Sequence, residues 1–194
     1  MLDTLLNDLP PRALKTIKAR QGDTLFRSGK KSSGLFRVLR GTVFLQRTTR
    51  SGDALILHRA SAGDFFAEAS IFSDTYHCDA ICAVDSLVIR YGRRAILAIM
   101  HQDPAFASLF AQHLAEQVQR HRAHAEILAI RSAKQRIFAA VHAGYLQGRV
   151  TELAGRINLT HEACYRGLKA LCDDGKLRRV GRGRYVLPSN SDHV

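Results

Sequence analysis

The sequence of 194 residues contains no tryptophan, few prolines and four cysteines. These are Cys78, Cys82, Cys164 and Cys172, and no two of them form a Cys-x-x-Cys pair. This spacing argues against a secreted disulfide framework and against a zinc ribbon. No window reaches the roughly 18 uncharged apolar residues that a bilayer span needs, and the N-terminus shows no signal-peptide pattern. We therefore expect a cytoplasmic protein with free thiols and no membrane partner.

Acidic residues are scarce relative to basic ones. The chain holds 29 lysines and arginines against 17 aspartates and glutamates, which makes a formal net charge of +12. Within residues 149–184 the counts are 9 basic and 4 acidic side chains. Such a surface attracts polyanions such as nucleic acid or anionic lipid, and the charge alone does not choose between them.

Motifs of common enzyme classes are missing as well. There is no phosphate-cradling P-loop, no Gly-x-Ser-x-Gly elbow and no His-Glu-x-x-His metal helix. We therefore expect a binding protein with no catalytic residues and no metal site.

Short apolar runs punctuated by glycines fill residues 18–90. Six glycines between Gly22 and Gly63 recur at intervals of 5 to 11 residues, which is the spacing of turns in an all-β barrel or sandwich. This pattern predicts a compact β domain in the first half of the chain.

The pattern changes after Arg94, because no glycine follows until Gly144. The segment predicts one long helix from about Pro104 to Ile130 and a second helix after it. Along the first helix, six residues alternate at spacings of 4 and 3, which is typical of the seam of a two-stranded coiled coil and predicts a homodimer. The alternative is a helix that packs on the β domain. The seam residues are Leu114, Val118, His121, Ala125, Leu128 and Ser132.

Residues 149–187, "RVTELAGRINLTHEACYRGLKALCDDGKLRRVGRGRYVL", predict two short helices and a basic hairpin. Thr151 is expected to cap the first helix, Thr160 to cap the second, and Gly175 to end it. In the second helix Cys164, Leu168 and Leu171 share the inward face.

The outward face of that second helix carries groups that suit a DNA major groove. Arginine can bond guanine, glutamate can accept from cytosine, and lysine can meet a phosphate. The hairpin that follows places arginine beside the phosphate backbone. The alternative is an ordinary amphipathic helix pair with a terminal hairpin. The candidate DNA-binding residues are Thr160, His161, Glu162, Tyr165, Arg166, Lys169 and Arg182.

With these parts in this order, the chain resembles the Crp/Fnr superfamily of bacterial transcription regulators. The resemblance is carried by "GLFRVLRGTVFLQ", "GDFFAEASIF" and "LTHEACYRGLKALCDDGKL". In the last motif Glu162 and Arg166 match the family pattern, and His161 stands where the family has arginine. The resemblance implies an α+β fold with a β-roll (double-stranded β-helix, jelly-roll-like) sensor at 1–103, a dimerisation helix at 104–131 and a winged helix-turn-helix at 132–194.

The same resemblance implies a homodimer on a palindromic operator in double-stranded DNA, with RNA polymerase as a further candidate partner. It also implies a cyclic-nucleotide-binding-like pocket, in which Glu68 matches the glutamate that bonds the ribose. However, Cys78 stands at the position of the phosphate-binding arginine, Asp79 at that of the following serine and Ser70 at that of a glycine. The exchange removes a cation and adds a carboxylate, so it argues against cyclic AMP. The implied pocket comprises Glu68, Ala69, Ser70, Cys78, Asp79, His121 and Arg122.

The sequence contains no motif that identifies another effector. An iron-sulfur cluster of the N-terminal-cysteine type is excluded, because Cys78 is the first cysteine. No motif selects a haem ligand among the histidines, so haem is not expected and the effector stays unknown. His121 could confer pH dependence on the dimer, and oxidation of Cys164 could disturb the recognition helix. The alternative function is a small-molecule-binding or interaction module that associates with polyanions without specificity. An enzyme acting on cyclic nucleotides is a more distant alternative.

Overall fold

The computed structural model describes residues 2–7, 9–49, 54–146 and 149–188. The chain divides into two compact units, Met1–Ala115 and Glu116–Val194, so the division falls inside the longest helix. The sequence-based boundaries lie at the ends of that helix instead, and the three-segment scheme stays a prediction. Among the described helices, none is both long and apolar enough to cross a membrane.

The described part of the first unit holds two four-stranded antiparallel sheets, ordered β1-β8-β3-β6 and β2-β7-β4-β5. This is the β-roll that the sequence predicts. The strands are β1 (Leu14–Ala19), β2 (Thr24–Phe26), β3 (Gly34–Arg40), β4 (Thr42–Thr48), β5 (Ala54–Ser61), β6 (Phe65–Phe66), β7 (Asp79–Cys82) and β8 (Ser86–Gly92).

Helical segments flank the roll. They are α1 (Leu2–Asn7), a 3-10 turn (Pro11–Ala13), a 3-10 helix here termed the cassette helix (Glu68–Phe72), α2 (Arg93–Gln102) and α3 (Pro104–Ala129). At the start of α3, the carboxylate of Asp103 accepts backbone N–H bonds from Ala105 at 2.8 Å and Phe106 at 3.2 Å. This cap, with proline in the first turn, explains why the helix begins where the sequence predicts.

The side chains of β3 point alternately to the two faces of its sheet, and each face contributes to a different apolar core. Phe36 and Val38 face the second sheet, whereas Leu35 faces the helices. The core between the sheets is largely aromatic, with the rings of Phe26 and Tyr76 stacked at 3.8 Å. The core under the helices includes Leu35, Phe65, Tyr91, Ile96, Phe106 and Phe110.

Gly41 makes the tight turn between β3 and β4. Its φ is +97°, and a Cβ at this position would lie 2.7 Å from the carbonyl oxygen of Asp85. Only glycine satisfies both the left-handed backbone and the close approach. The turn therefore fixes how β3 and β4 diverge into different sheets.

The described part of the second unit holds the end of α3, three further helices and a hairpin. They are α4 (Ala133–His142), α5 (Val150–Arg156), α6 (His161–Asp173), β9 (Arg178–Gly181) and β10 (Arg184–Val186). As predicted, Cys164, Leu168 and Leu171 are buried in its core, together with Ile137 and Leu153.

Two residues, Ser132 and Thr151, have roles in the structure that differ from the sequence-based assignments. Ser132 lies outside α3 and caps α4, where its hydroxyl accepts from the backbone N–H of Gln135, so its assignment to the coiled-coil seam was wrong. Thr151 lies inside α5 and does not cap it, because α5 begins at the buried Val150. Thr160 does cap α6, and its hydroxyl accepts from Ala163 N–H at 3.1 Å.

Candidate nucleic-acid interface and sensor pocket

The outward face of α6 is solvent-exposed along its length. His161, Glu162, Tyr165, Arg166 and Lys169 are all exposed, while the opposite face is buried. Neither basic side chain of this set forms an ion pair with a described residue. Glu162 lies in the first turn, where the helix dipole favours a negative charge. The face therefore presents two available cations on a rigid helix.

The hairpin formed by β9 and β10 extends this basic surface. Arg178, Arg179, Arg182 and Arg184 are exposed, and Arg179 Nε donates to the carbonyl oxygen of Gly181 at 3.2 Å. The hairpin is attached to the unit through Tyr185, which packs against the core. Four arginines in seven residues thus follow α6 on an antiparallel ribbon.

Arg136 holds the helices of the second unit together. Its Nε donates to the carbonyl oxygen of Ile130 at 2.9 Å, and its Nη1 donates to that of Ile157 at 3.2 Å. One side chain therefore binds the chain after α3 and the end of α5, just before α6. Nothing in the local sequence pattern identifies this role, because the second contact spans 21 residues.

Gly167 allows α6 to lie close to α4. A Cβ at this position would meet Cδ1 of Ile137 at 2.3 Å. On the same helix, burial raises the pKa of the Cys164 thiol to about 11. Because the thiolate is the reactive form, a raised pKa favours a packing role over redox sensing for this cysteine.

The α3 seam has an exposed middle and packed ends. Val118 is 47% exposed, and His121 and Ala125 are also exposed. Leu114 packs against the core of the first unit and Leu128 against the core of the second. Only the middle of the predicted seam is therefore presented to solvent.

In the predicted sensor pocket, which is the cyclic-nucleotide-binding-like pocket implied by the resemblance, Glu68 is buried at the start of the cassette helix. His113 Nε2 of α3 lies 3.0 Å from Glu68 Oε1. This hydrogen bond joins residues 45 positions apart in the sequence. Phe65 packs edge-on against the His113 ring at 5.5 Å. The glutamate that the resemblance assigns to a ribose hydroxyl thus has a partner within the protein.

Asp79 is also engaged within the first unit, since its Oδ1 accepts the backbone N–H of Ser28 at 2.7 Å. Cys78 packs against the core between the sheets, and burial raises the pKa of its thiol. Arg47 of β4 lies beside Cys78 and partly offsets that rise, while its Nε donates to His77 O at 2.9 Å. The guanidinium of Arg47 on β4 therefore lies beside Cys78. The sequence analysis did not predict this contact.

The remaining residues of the predicted pocket are spread over both units. Ser70 is buried, and its carbonyl oxygen accepts from the Ser32 hydroxyl at 2.6 Å, whereas Ala69 is exposed. His121 and Arg122 belong to the second unit, so their part in the pocket stays a prediction. The four cysteines are unpaired, and the described residues include no cluster of three or more histidines, cysteines or carboxylates that could hold a metal ion.

One family model matches a large part of the first unit. Residues 16–103 match the family of cyclic nucleotide-binding domains. The matched residues include most of the β-roll and the whole cassette helix. No curated protein sequence matches the chain.

Solved structures resemble the chain over most of its length. FixK2 from Bradyrhizobium japonicum is 18% identical, covers 91% of this chain and 93% of its own, and has a TM-score of 0.71. The c-di-GMP responsive global regulator CLP from Xanthomonas campestris is 19% identical, with coverages of 97% and 98% and a TM-score of 0.69. A CRP/FNR-family transcriptional regulator from Thermus thermophilus is 24% identical, with coverages of 90% and 94% and a TM-score of 0.62. At these identities the likeness establishes the fold.

Proposed function

We propose that this protein is a homodimeric transcription regulator that binds DNA sequence-specifically, with residues 132–194 acting as a winged helix-turn-helix. The observation that carries the proposal is α6, a capped helix with one face buried and the other bearing exposed Arg166 and Lys169. The fold shared with two regulators supports it. The dimerisation helix at 104–131 and the sensor at 1–103 complete the proposed organisation, in the cytoplasm.

In this proposal α6 enters the major groove. Arg166 bonds the O6 and N7 atoms of a guanine, Glu162 accepts from a cytosine amino group, and Lys169 meets a phosphate. His161 and Tyr165 read neighbouring base edges. The hairpin acts as the wing, where Arg182 contacts the phosphate backbone and adds affinity without sequence preference.

The dimer forms through the exposed middle of the α3 seam. Val118 and Ala125 are apolar and exposed on α3, and two copies of this stripe would bury each other. A two-fold axis along such a seam presents two recognition helices about one DNA turn, roughly 34 Å, apart. The operator is therefore a palindrome. RNA polymerase is the downstream partner that such a regulator engages.

The sensor does not bind cyclic AMP in the usual way. Glu68 is already bonded to His113, and the Asp79 carboxylate stands where the family has serine. Arg47 keeps one positive charge at this place, so attraction for an anion persists while the ribose contact is lost. Because CLP is described as responsive to c-di-GMP, that dinucleotide belongs in any effector panel alongside cyclic AMP and cyclic GMP.

The decisive experiment measures sequence discrimination. An operator selected from random duplexes is compared with its scrambled version by fluorescence anisotropy at several salt concentrations. We expect discrimination of roughly 4 kcal/mol or more, and we expect Arg166→Ala to cost about 1–3 kcal/mol on the operator alone. Arg131→Ala, which removes an exposed cation of the same unit outside α6, is the matched control. Salt-dependent binding that ignores sequence would instead favour the non-specific interaction module.

The dimer and the effector have separate tests. Val118→Asp should shift the mass measured by sedimentation from dimer to monomer, whereas Gln119→Asp, an exposed neighbour off the seam, should not. A monomeric wild type would end the dimer proposal. Calorimetry with cyclic AMP should show no binding at micromolar ligand, and a micromolar constant would show that the pocket has been misinterpreted.

A further inference from the structure

A cleft of about 350 Å³ lies at one end of the β1-β8-β3 sheet and belongs to none of the sites above. Its volume falls in the range of sites that hold small molecules. Three of its lining residues are basic. The lining consists of Lys18, Ala19, Arg20, Arg40, Asp85, Ser86 and Leu87.

Strand register explains why the basic side chains converge. Lys18 of β1 and Arg40 of β3 both pair with Leu87 of β8, which lies between them. A register shift between Val38 and Arg40 sets Arg40 opposite Leu87, although Val38 points into the roll. Directly paired residues project from the same face of a sheet, and neighbouring strands lie about 4.8 Å apart. The two cations therefore flank one leucine, with their backbones roughly 10 Å apart. Arg20 joins them from the turn just after β1.

This face is separate from the roll interior that holds the sensor pocket. Val88, the next residue of β8, points to the core between the sheets, so Leu87 points the other way. Ile89, two residues on, packs against the core under the helices. That core covers one end of the outer face, and the cleft lies at the uncovered end.

The three cations are available for a ligand. None of Lys18, Arg20 and Arg40 forms an ion pair with a described residue. The nearby carboxylates are engaged by backbone groups, since Asp85 Oδ1 accepts from Gln21 N–H at 2.9 Å and Asp23 Oδ2 from Arg20 N–H at 2.8 Å. Three positive charges against the single carboxylate of Asp85 leave the lining of the cleft with a net positive charge.

We propose that this cleft binds a phosphate or diphosphate group. Two arginines supply planar donor forks that match phosphate oxygens, and a lysine supplies a compact charge. The backbones of Lys18 and Arg40 are fixed by strand pairing, so only side chains need to be ordered when the anion arrives. The phosphate can come from a small phosphorylated molecule or from a DNA backbone. The proposal does not depend on the function of α6.

The test compares two charge-matched double variants of the full chain. Lys18→Gln/Arg40→Gln alters the cleft, and Lys30→Gln/Lys31→Gln removes two exposed cations elsewhere in the first unit. Calorimetry with ADP and with inorganic pyrophosphate gives the small-molecule arm, and salt titration of duplex DNA binding gives the other. Thermal unfolding confirms that each variant is folded.

We expect ADP and pyrophosphate to bind the wild type saturably, and the cleft variant to weaken both by about tenfold or more, because two charged hydrogen-bonding partners are lost. The control should stay within about twofold. If neither probe binds but the cleft variant alone lowers the DNA salt slope by about 2, the phosphate is that of DNA. Equal losses in both variants, or no loss in either arm, would overturn the proposal.

Discussion

In the first unit, carboxylates near the sensor pocket are bonded by groups of that same unit, whereas in the second unit the basic side chains of α6 and its hairpin point to solvent. Glu68 meets His113, and Asp79 accepts a backbone N–H. By contrast, Arg166 and Lys169 are exposed and form no ion pair with a described residue. Each unit has a buried apolar core, so the contrast concerns their polar groups.

This contrast separates folding from binding. A buried polar group without a partner costs free energy, so the internal bonds of the sensor stabilise the fold. An exposed cation contributes little to stability and stays available for a polyanion. Changes to the buried, internally bonded groups near Glu68 should therefore act on stability, and changes to the exposed cations of α6 and its hairpin should act on DNA affinity.

The largest effect is expected from the hairpin. Arg178→Gln/Arg182→Gln should weaken duplex DNA binding at physiological salt by roughly tenfold or more and lower the salt slope by about 2, because two phosphate contacts are lost. The free energy of unfolding should change by less than about 0.5 kcal/mol. Salt titration by anisotropy and thermal unfolding measure the two quantities. An unchanged salt slope, or a marked loss of stability, would contradict the claim that these arginines serve DNA binding and not folding.

Changes to the hydrogen-bonded pair Glu68 and His113 should affect stability and leave DNA affinity almost unchanged. His113→Leu removes one hydrogen-bond partner of buried Glu68 and should lower the free energy of unfolding by about 1–3 kcal/mol, measured by denaturant titration. DNA affinity measured on the folded protein should change little. The double variant Glu68→Met/His113→Leu should regain most of the loss, because apolar groups then replace both partners. Equal stability of the single variant and the wild type would contradict this account.

The sequence predicted local features better than distant contacts. The bounds of α3, the cap at Thr160 and the buried face of α6 follow from helical periodicity and capping, which are read within a few residues. The pairing of His113 with Glu68 spans 45 residues, so no local pattern reveals it. Thr151 was misplaced because burial of Val150 starts α5 before the expected cap.

The sensor pocket shows the same limit more sharply. The residues Cys78 and Asp79 led us to predict a lost cation in the implied pocket, and this stays a prediction. Arg47 reaches the same place from β4, because β4 pairs with β7. Only the register of the sheet reveals this compensation. A charge missing from one strand can therefore be supplied by its neighbour.

The two units also differ in backbone strain, for which we expect a smaller effect on the free energy of unfolding. Each unit has one described residue other than glycine at positive φ, namely Ala67 at +69° before the cassette helix and Asn158 at +52° in the turn before α6. Asparagine tolerates this region, whereas alanine is strained there. Ala67→Gly should raise the free energy of unfolding by about 0.5–1 kcal/mol, measured by thermal unfolding. Ala69→Gly, inside the cassette helix, should lower it instead. A loss of stability in both variants would show that Ala67 is unstrained.

The second unit also contains a partly buried titratable side chain, His124, as the first unit contains buried Glu68. Its Nδ1 has no hydrogen-bond partner among the described residues, its ring lies 5.6 Å from that of Tyr145, and Arg156 lies 3.7 Å over the same tyrosine ring. Burial lowers the pKa of His124, and the charges of Arg156 and His121 lower it further.

The sign of the pH effect follows from this lowered pKa. Below the ordinary histidine pKa of about 6.5, the unfolded chain takes up a proton that the folded protein resists, so stability falls as the pH falls. The unfolding temperature of the wild type should therefore decrease more between pH 8 and pH 5 than that of His124→Phe, which keeps an aromatic ring without a titrating group. All other ionisable groups are common to both proteins, so the difference between the two profiles reports His124. Superimposable profiles would mean that the His124 ring is protonated as easily in the folded protein as in the unfolded chain.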